Sequence, residues 1–287
     1  MSDIVSLLLG LAAALSSLQE ATEQLTAAQQ ASSAVVAEEI MEDEAPEEVP
    51  MEESEVPEEE IIIEEVAPEE VVPEDEIYTI VLDPGHTAVM SGGQEAIGPG
   101  ASELKDKDTL GTKGVSSGVP EYELNLQISE KLKEELEERG YEVILTRDSH
   151  DLSLSCIERA MVANDNQADA FVRIHADAST SQSAKGAMTI CTTKENPYHP
   201  EKYDESRVLS ECLLNEYCKK TGAKKRTVWE TDTMTGNNWS EVPCTIIEMG
   251  YMTNPDEDLL MQTEEYQEKM VEGIANGIDK YFLIIDD

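Results

Sequence analysis

Residues 79–87, TIVLDPGHT, join an apolar run to an Asp-Pro-Gly turn and a histidine. Apolar and β-branched residues favour a buried strand, and Pro-Gly is typical of a turn that ends one. Because the histidine follows this turn at once, His86 is either a titratable turn residue or a metal ligand held at the end of the strand. The segment therefore predicts a strand and a turn, and it leaves both interpretations of His86 open.

Beyond this segment the chain alternates strand-like runs with amphipathic, helix-like runs. Strands are predicted at 77–83, 141–147, 168–177, 186–193 and 242–254. Helices are predicted at 121–140, 153–168, 203–220 and 264–282. Such alternation implies βαβ crossovers and a mostly parallel sheet. We therefore expect an α/β fold: one domain at 77–287, with a mostly parallel or mixed central sheet flanked by helices.

The formal net charge of −42 is unevenly distributed over the 287 residues. Residues 1–76 hold 23 of the 62 acidic residues and none of the 20 basic ones, which leaves a net charge of −19 for 77–287. This balance argues against nucleic acid as a partner, because phosphate binding needs Lys and Arg. Residues 37–76 are rich in Glu and Pro and lack glycine and aromatic residues, a composition that predicts a disordered, extended linker.

The apolar N-terminal segment at 1–36 has two interpretations. Its run of about twelve apolar residues is too short to span a bilayer. The run has the length of a signal-peptide core, but no basic residue precedes it. A second pattern is a 4-3-4-3 spacing of apolar residues, formed by Ile4, Leu8, Leu11, Leu15, Leu18 and Leu25. This spacing favours an amphipathic helix, through which residues 4–33 would tether the chain to a membrane or self-associate.

Two of the four histidines share one context. His86 follows the first predicted strand, and His175 closes the strand at 168–177. Ligands gather beyond the carboxyl ends of parallel strands, so we expect these two imidazoles to converge. A hydrolytic zinc site typically has three protein ligands and one open position. His150 and His199 lie in polar stretches and are interpreted as surface loop residues.

Carboxylates supply the remaining candidates. Glu121 and Glu123 stand in the first turn of the helix at 121–140, where either one can ligate a metal or only complement the helix dipole. Glu248 ends the apolar run PCTII. Beside a metal, such a carboxylate suits general-base work on water. The alternative is a buried glutamate paired with Arg147 or Arg173, since an unpaired buried charge is costly.

Several spaced motifs follow one another along the domain: VLDPGH, GVPEYELNLQISEKLKEELEERGYEVILTR, ERAMVAN, ADAFVRIHADA and NNWSEVPCTIIEMGYMTN. Together they resemble the zinc-dependent N-acetylmuramoyl-L-alanine amidases, the AmiC-like amidase-3 catalytic domain. The resemblance runs from about Tyr78 to Tyr281 and does not extend over 1–76.

This resemblance implies one Zn²⁺ per catalytic domain, with His86, Glu121 and His175 as ligands and Glu248 as general base and acid. It implies hydrolysis of the amide between N-acetylmuramic acid and L-alanine in peptidoglycan. That substrate lies outside the membrane, so export to the cell wall or periplasm is expected. One departure is Asp177, where the family often has asparagine; it adds a carboxylate close to the third ligand.

Two further features are expected to meet the substrate. Asn238 and Trp239 precede the last strand and are candidate substrate contacts, although Trp239 can equally be a core residue. The Gly- and Ser-rich connection at 87–120 lies between two ligands, and loops of this length are uncommon unless functional. We expect this connection to wall the cleft and to contact glycan or stem peptide.

Overall fold

The structure is a computed structural model that describes residues 77–286. The predicted helical segment at 1–36 and the predicted acidic linker at 37–76 lie outside the described residues. The strands are β1 (Thr79–Pro84), β2 (Gln94–Ala96), β3 (Leu104–Asp106), β4 (Glu142–Leu145), β5 (Ala170–Asp177), β6 (Ala187–Cys191), β7 (Lys225–Glu230) and β8 (Cys244–Tyr251). The helices are α1 (Glu121–Glu138), α2 (Cys156–Asp165), α3 (Tyr203–Thr221), α4 (Thr235–Asn238), α5 (Pro255–Met261) and α6 (Glu264–Ile285).

A six-stranded sheet in the order β4-β1-β5-β8-β6-β7 forms the centre of the domain. The first four strands are parallel; β6 runs antiparallel to β8 and parallel to β7. The predicted α/β fold with a mixed central sheet is confirmed. The register places Pro84 beside Ile174 and His175 beside Glu248, so the two predicted strand-end residues of β5 and β8 are neighbours.

The larger core lies between one face of the sheet and the helices α1, α3 and α6. In α1 the apolar positions recur at helical spacing and are all fully buried, as Leu124, Ile128, Leu132 and Leu136 show. α6 approaches α3 closely at Gly277, where a Cβ atom would lie 2.6 Å from the Cα of Leu213. These helices thus cover one face of the sheet.

The opposite face carries a smaller apolar cluster that includes Val81 and Phe171, covered by α2. The β2–β3 hairpin is attached at the edge of this layer. The indole N–H of Trp239 donates to the carbonyl of Ala96 at 2.8 Å. The carboxylate of Glu95 accepts from the backbone N–H of Ile157, in the first turn of α2. The long connection between β1 and α1 is therefore partly ordered as a hairpin.

The sequence patterns above do not predict β2, β3, β7, α4 or α5. The two hairpin strands have three residues each, too few to show a period. β7 reads KRTVWE, and its charged residues suit an edge strand more than a buried one. The start of α5 carried a local signal, because Asn254 caps the backbone N–H groups of Asp256 and Glu257 and a proline follows it.

The buried carboxylate of Asp83 lies on the same face of β1 as Val81 of the smaller apolar cluster. Asp83 is fully buried; its Oδ1 accepts from Nη1 of Arg159 at 2.7 Å and from the hydroxyl of Thr146 at 2.6 Å. Its Oδ2 accepts from Nε of Arg173 at 2.9 Å. Burial acts to raise the pKa of Asp83, but the two guanidinium charges overcome this effect and hold the pKa far below its ordinary value.

We expect Asp83→Asn to lower the free energy of unfolding by about 3–5 kcal/mol, because it leaves two buried guanidinium groups without their carboxylate. The lowered pKa fixes the sign of the pH dependence. The stabilising contribution of Asp83 is present above its unfolded pKa of about 4 and is lost as the pH falls further. Denaturant unfolding of both full-length proteins, at pH 7 and at successively lower pH, measures this difference.

The matched control is Asp165→Asn, at the exposed end of α2. This variant should unfold at the denaturant concentration of the wild type. Equal stability of the Asp83→Asn variant and the wild type at pH 7 would contradict the role given to the buried carboxylate.

Candidate metal centre

The turn after β1 is held by two arginines. Arg147 donates through Nε to the carbonyl of Pro84 at 2.8 Å and through Nη2 to that of Gly85 at 3.1 Å. Arg159 donates through Nη1 to the carbonyl of Pro84 at 2.8 Å and through Nη2 to that of His86 at 3.2 Å. His86 has a φ of 62°, which non-glycine residues rarely adopt. The arginines thus hold the turn in a conformation that the histidine itself disfavours.

Two glycines let the site close around its donors. A Cβ atom on Gly85 would lie 2.3 Å from Cε1 of His175, so only glycine leaves room for that ring. Gly111 has a φ of 71°, and a Cβ there would lie 2.5 Å from Oε2 of Glu121 and 2.6 Å from Cδ2 of His86. The backbone therefore packs directly against all three predicted ligands.

The three predicted ligands converge on one carboxylate oxygen. Oε1 of Glu121 lies 3.2 Å from Nε2 of His86 and 3.2 Å from Nδ1 of His175. A tetrahedral zinc ion with bonds of 2.0–2.1 Å places its ligand atoms about 3.3 Å apart. One donor atom from each residue lies within 4.8 Å of the others, and no other such group occurs in the described part of the chain. Two imidazoles and one carboxylate at this spacing can hold a metal ion.

Surrounding groups orient these donors. Nδ1 of His86 donates to the carbonyl of Thr109 at 2.9 Å, which leaves the lone pair on Nε2. The backbone N–H of Thr112 donates to Oε2 of Glu121 at 2.9 Å, and the amide of Asn125 donates to Oε1 at 3.2 Å. The loop before α1 and the first turn of α1 therefore fix both the histidine tautomer and the carboxylate.

The electrostatics of the cluster suit a metal ligand set. Burial acts to raise the pKa of Glu121, but the electrostatic influence of the two imidazoles that face its carboxylate holds this pKa well below its ordinary value. Burial lowers the pKa of His175 to about 4, and Glu121 opposes that shift only in part. His175 is consequently neutral near pH 7, as a metal ligand must be. Its Nε2 is buried with no partner among the described residues.

Glu248 lies beside His175 in the register of β5 and β8. Burial, with the charges of Asp177 and Glu121, raises the pKa of Glu248 well above its ordinary value. Oε2 of Glu248 is buried and has no hydrogen-bond partner in the described part of the chain. An unsatisfied buried carboxylate oxygen is costly and is typical of a reactive group.

The structure decides two alternatives that the sequence left open. Glu123 is exposed on α1, whereas Glu121 is buried in the cluster. Neither arginine is paired with Glu248, because Arg147 donates to backbone carbonyls and Arg173 to Asp83 and to the side chain of Asn237.

The other two histidines do not join the cluster. His150 is half-buried in the loop after β4, and its ring stands edge-on to Tyr122. His199 is half-buried before α3, and its Nδ1 lies 3.3 Å from Oε1 of Glu201. Both occupy loops, as expected from their polar sequence context.

Asn238 and Trp239 both bind the end of strand β2. The amide of Asn238 is fully buried and donates to the carbonyls of Ile97 and Asp232. Trp239 is half-buried, packs against the smaller apolar cluster and binds Ala96 as described above. Both side chains support the wall formed by the hairpin, and their direct contact with substrate stays a prediction.

Residues 80–280 match the profile of the N-acetylmuramoyl-L-alanine amidase family. The chain belongs to this family. The resemblance drawn from the sequence motifs is thereby confirmed, and the cluster of two histidines and a glutamate lies wholly within the matched residues.

Relatives of this amidase domain differ in length. The chain is 33% identical over 169 residues to the uncharacterized protein YqiI of Bacillus subtilis, covering 58% of this chain and 77% of YqiI. It is 28% identical over 206 residues to the N-acetylmuramoyl-L-alanine amidase LytC of B. subtilis, covering 71% of this chain but only 35% of LytC. The amidase Ami1 of Mycobacterium smegmatis shares the fold, with a TM-score of 0.65, 23% identity and coverage of 72% of this chain and 97% of Ami1.

Sequence reasoning missed the groups that position the ligands of this amidase domain. Asn125 carried a local signal, since it lies four residues after Glu121 on the same helix face. Arg147, Arg159 and Thr109 carried none, because each reaches the site from a distant part of the chain.

We expect Gly85→Ala to weaken zinc binding about 10- to 100-fold, because the new methyl group displaces the ring of His175. Equilibrium dialysis of the full-length protein against Zn²⁺ measures the affinity, and circular dichroism checks the fold. The control is Gly222→Ala at the end of α3, where no atom lies within 4 Å of the added carbon. Wild-type affinity in the Gly85→Ala variant would mean that His175 does not contribute to the site.

Proposed function

We propose that this domain hydrolyses the amide between N-acetylmuramic acid and L-alanine in peptidoglycan, as a zinc enzyme. Membership of the N-acetylmuramoyl-L-alanine amidase family supports the reaction. The observation that carries the zinc dependence is the convergence of His86 and His175 on Oε1 of Glu121 at 3.2 Å each.

The donor set fits zinc. Two imidazole nitrogens and one carboxylate oxygen leave a fourth, open position, which is the arrangement of hydrolytic zinc sites. Zinc held there supplies a Lewis acid that polarises the scissile carbonyl and acidifies water. The low pKa of Glu121 keeps this ligand anionic, and the lowered pKa of His175 keeps its ring free to coordinate.

Glu248 is the proposed general base and acid. It lies next to His175 across the sheet, with an unpaired carboxylate oxygen. Burial and the charges of Asp177 and Glu121 raise the pKa of Glu248, which strengthens its hold on a proton, as suits a group that takes and returns one. Glu248 takes a proton as water attacks the lactyl carbonyl, and it delivers a proton to the departing nitrogen of L-alanine.

The connection between β1 and α1 forms one wall of the proposed cleft. Thr109, Gly111 and Thr112 lie directly against the ligand cluster, and the β2–β3 hairpin lies upstream of them. The predicted contact of this connection with glycan or stem peptide follows from that position. The long Gly- and Ser-rich loop is therefore proposed to orient the ligands and to shape the cleft.

The proposed substrate places the domain outside the cytoplasmic membrane, in the cell wall or periplasm. No helix within residues 77–286 is long and apolar enough to cross a membrane. We assign any tether or self-association to residues 4–33, a proposal that sedimentation of the full chain with and without vesicles tests.

Digestion of purified peptidoglycan by the zinc-loaded protein tests the reaction. We expect mass spectrometry to find stem peptides that begin with an intact L-alanine amino group, with glycan strands left uncut. A chelator should abolish their release, and added Zn²⁺ should restore it. Fragments cut within the stem peptide, or glycan that has lost only acetyl groups, would instead identify a peptidase or a deacetylase.

We expect Glu248→Gln to lower kcat about 10²- to 10⁴-fold while the protein still binds zinc, because the amide has the size of the carboxylate but cannot exchange the proton. Turnover of solubilised peptidoglycan and equilibrium dialysis against Zn²⁺ measure the two properties. Glu123→Gln, on the exposed side of the first turn of α1, is the control and should keep both. Wild-type turnover in the Glu248→Gln variant would remove Glu248 from the mechanism.

A further inference from the structure

Arg226 lies in line with the proposed catalytic residues across the sheet. His175 pairs with Glu248, Glu248 pairs with Met188, and the register shift in β7 places Arg226 close to Met188. Neighbouring strands are about 4.8 Å apart, so the backbone of Arg226 is about 10 Å from that of Glu248. The backbone of Arg226 thus lies beyond Glu248 from the strand of His175, and its side chain reaches back toward Asp177 at the end of that strand.

The guanidinium of Arg226 is held over the same face of the sheet. Its Nη1 donates to Oδ2 of Asp177 at 2.8 Å, and its plane stands 4.8 Å from the ring centre of Tyr251. The carboxylate of Asp177 also accepts from Tyr251 and is 12% exposed. A bond to Asp177 and a stacked ring together fix the orientation of the guanidinium.

Arg226 keeps donors for a further partner. The bond to Asp177 is its one side-chain hydrogen bond within residues 77–286, although a guanidinium carries several N–H donors. Its side chain is 28% exposed. The nearby groups of Glu121, Asp177 and Glu248 are all acidic, so Arg226 is positioned to offset their charge for an anionic ligand.

The proposed reaction suggests which anionic group Arg226 binds. Glu248 returns a proton to the nitrogen of L-alanine, so the departing stem peptide must begin at Glu248. A peptide that leaves Glu248 toward Asp177 and Tyr251 meets the guanidinium of Arg226, which both of these residues contact. Its second residue, D-glutamate, carries the first carboxylate, which lies about 7 Å from the alanine nitrogen in an extended chain. An arginine matches a carboxylate with paired, charge-assisted hydrogen bonds.

We propose that Arg226 binds the α-carboxylate of the second stem residue and makes the enzyme prefer stems in which this group is not amidated. The inference rests on the proposed function. Asp177 and Tyr251 act as positioning residues that hold the guanidinium.

Two matched substrates test the preference: N-acetylmuramoyl-L-Ala-D-Glu and the same compound with its α-carboxylate as an amide. The zinc-loaded full chain should hydrolyse the acid about tenfold to a hundredfold more efficiently than the amide, as judged by kcat/KM. In Arg226→Gln the ratio of kcat/KM for the acid to kcat/KM for the amide should fall to near one, mainly because KM for the acid rises. Arg226→Lys should keep part of the preference, since it retains the charge but not the paired geometry.

The control is Arg207→Gln. The side chain of Arg207 is 31% exposed and pairs with Glu211 on α3 and with Glu230 on β7. This variant should keep the wild-type ratio. If Arg226→Gln lowers kcat/KM for both substrates in parallel and the ratio survives, Arg226 is only structural and the proposal is overturned.

Failure of the proposed function has a different signature, because the wild type would then hydrolyse neither compound. Calorimetric binding of the dipeptide L-Ala-D-Glu and its α-amide to the full-length wild type and to Arg226→Gln decides the role of Arg226 in that case. Tighter binding of the acid, lost in the variant, supports the proposal, and equal binding of both dipeptides by the wild type overturns it.

Discussion

The buried charge of Asp83 is the constraint on which the metal centre depends. Taking a carboxylate and two guanidinium groups out of water is costly, and their mutual attraction offsets that cost only where the geometry is good. Arg159 joins Asp83 to the carbonyls of the turn, while Arg173 binds its second oxygen. The turn is therefore fixed by the layer beneath it, which lets His86 persist at a φ that it would not adopt alone. The buried ion pairs thus keep the turn rigid, and the rigid turn fixes the position of the imidazole of His86.

Features set by residues close in sequence could be predicted, whereas contacts between residues far apart in sequence could not. Five of the strands, the four long helices and the ends of β1 and β5 follow from local patterns, so the sequence alone predicted that His86 and His175 lie close together. Glu121 could be separated from Glu123 only by a family motif, because both stand in the same helical turn and helix periodicity does not favour one over the other. The arginines around the turn carry no local mark, since each binds residues more than sixty positions away or across a different loop. Asp177 was expected to add negative charge near the metal, and its ion pair with Arg226 could not be foreseen because β7 was not predicted.

The site also resolves an electrostatic conflict. An acidic domain gathers two carboxylates, Glu121 and Glu248, in one half-buried cleft, where like charges repel and raise proton affinity. The pKa of Glu121 is nevertheless lowered, because both imidazoles and two hydrogen-bond donors face its carboxylate. The pKa of Glu248 is raised, and its Oε2 has no hydrogen-bond donor among the described residues. The surroundings thus shift the pKa values of these two glutamates in opposite directions, as suits the proposed roles of Glu121 as a ligand and Glu248 as a proton carrier.

The reversal of strand direction at β6 gives the cleft its asymmetry. A fully parallel sheet would continue past β8 with another strand end, whereas β6 and β7 return in the opposite direction and present side chains from their first residues. Glu248 consequently has His175 beside it on one neighbouring strand and Met188 beside it on the other. Arg226 belongs to the strand beyond Met188, and its side chain reaches back to Asp177 and Tyr251. Sheet topology therefore gives the two sides of Glu248 different chemical surroundings, before any loop contact is made.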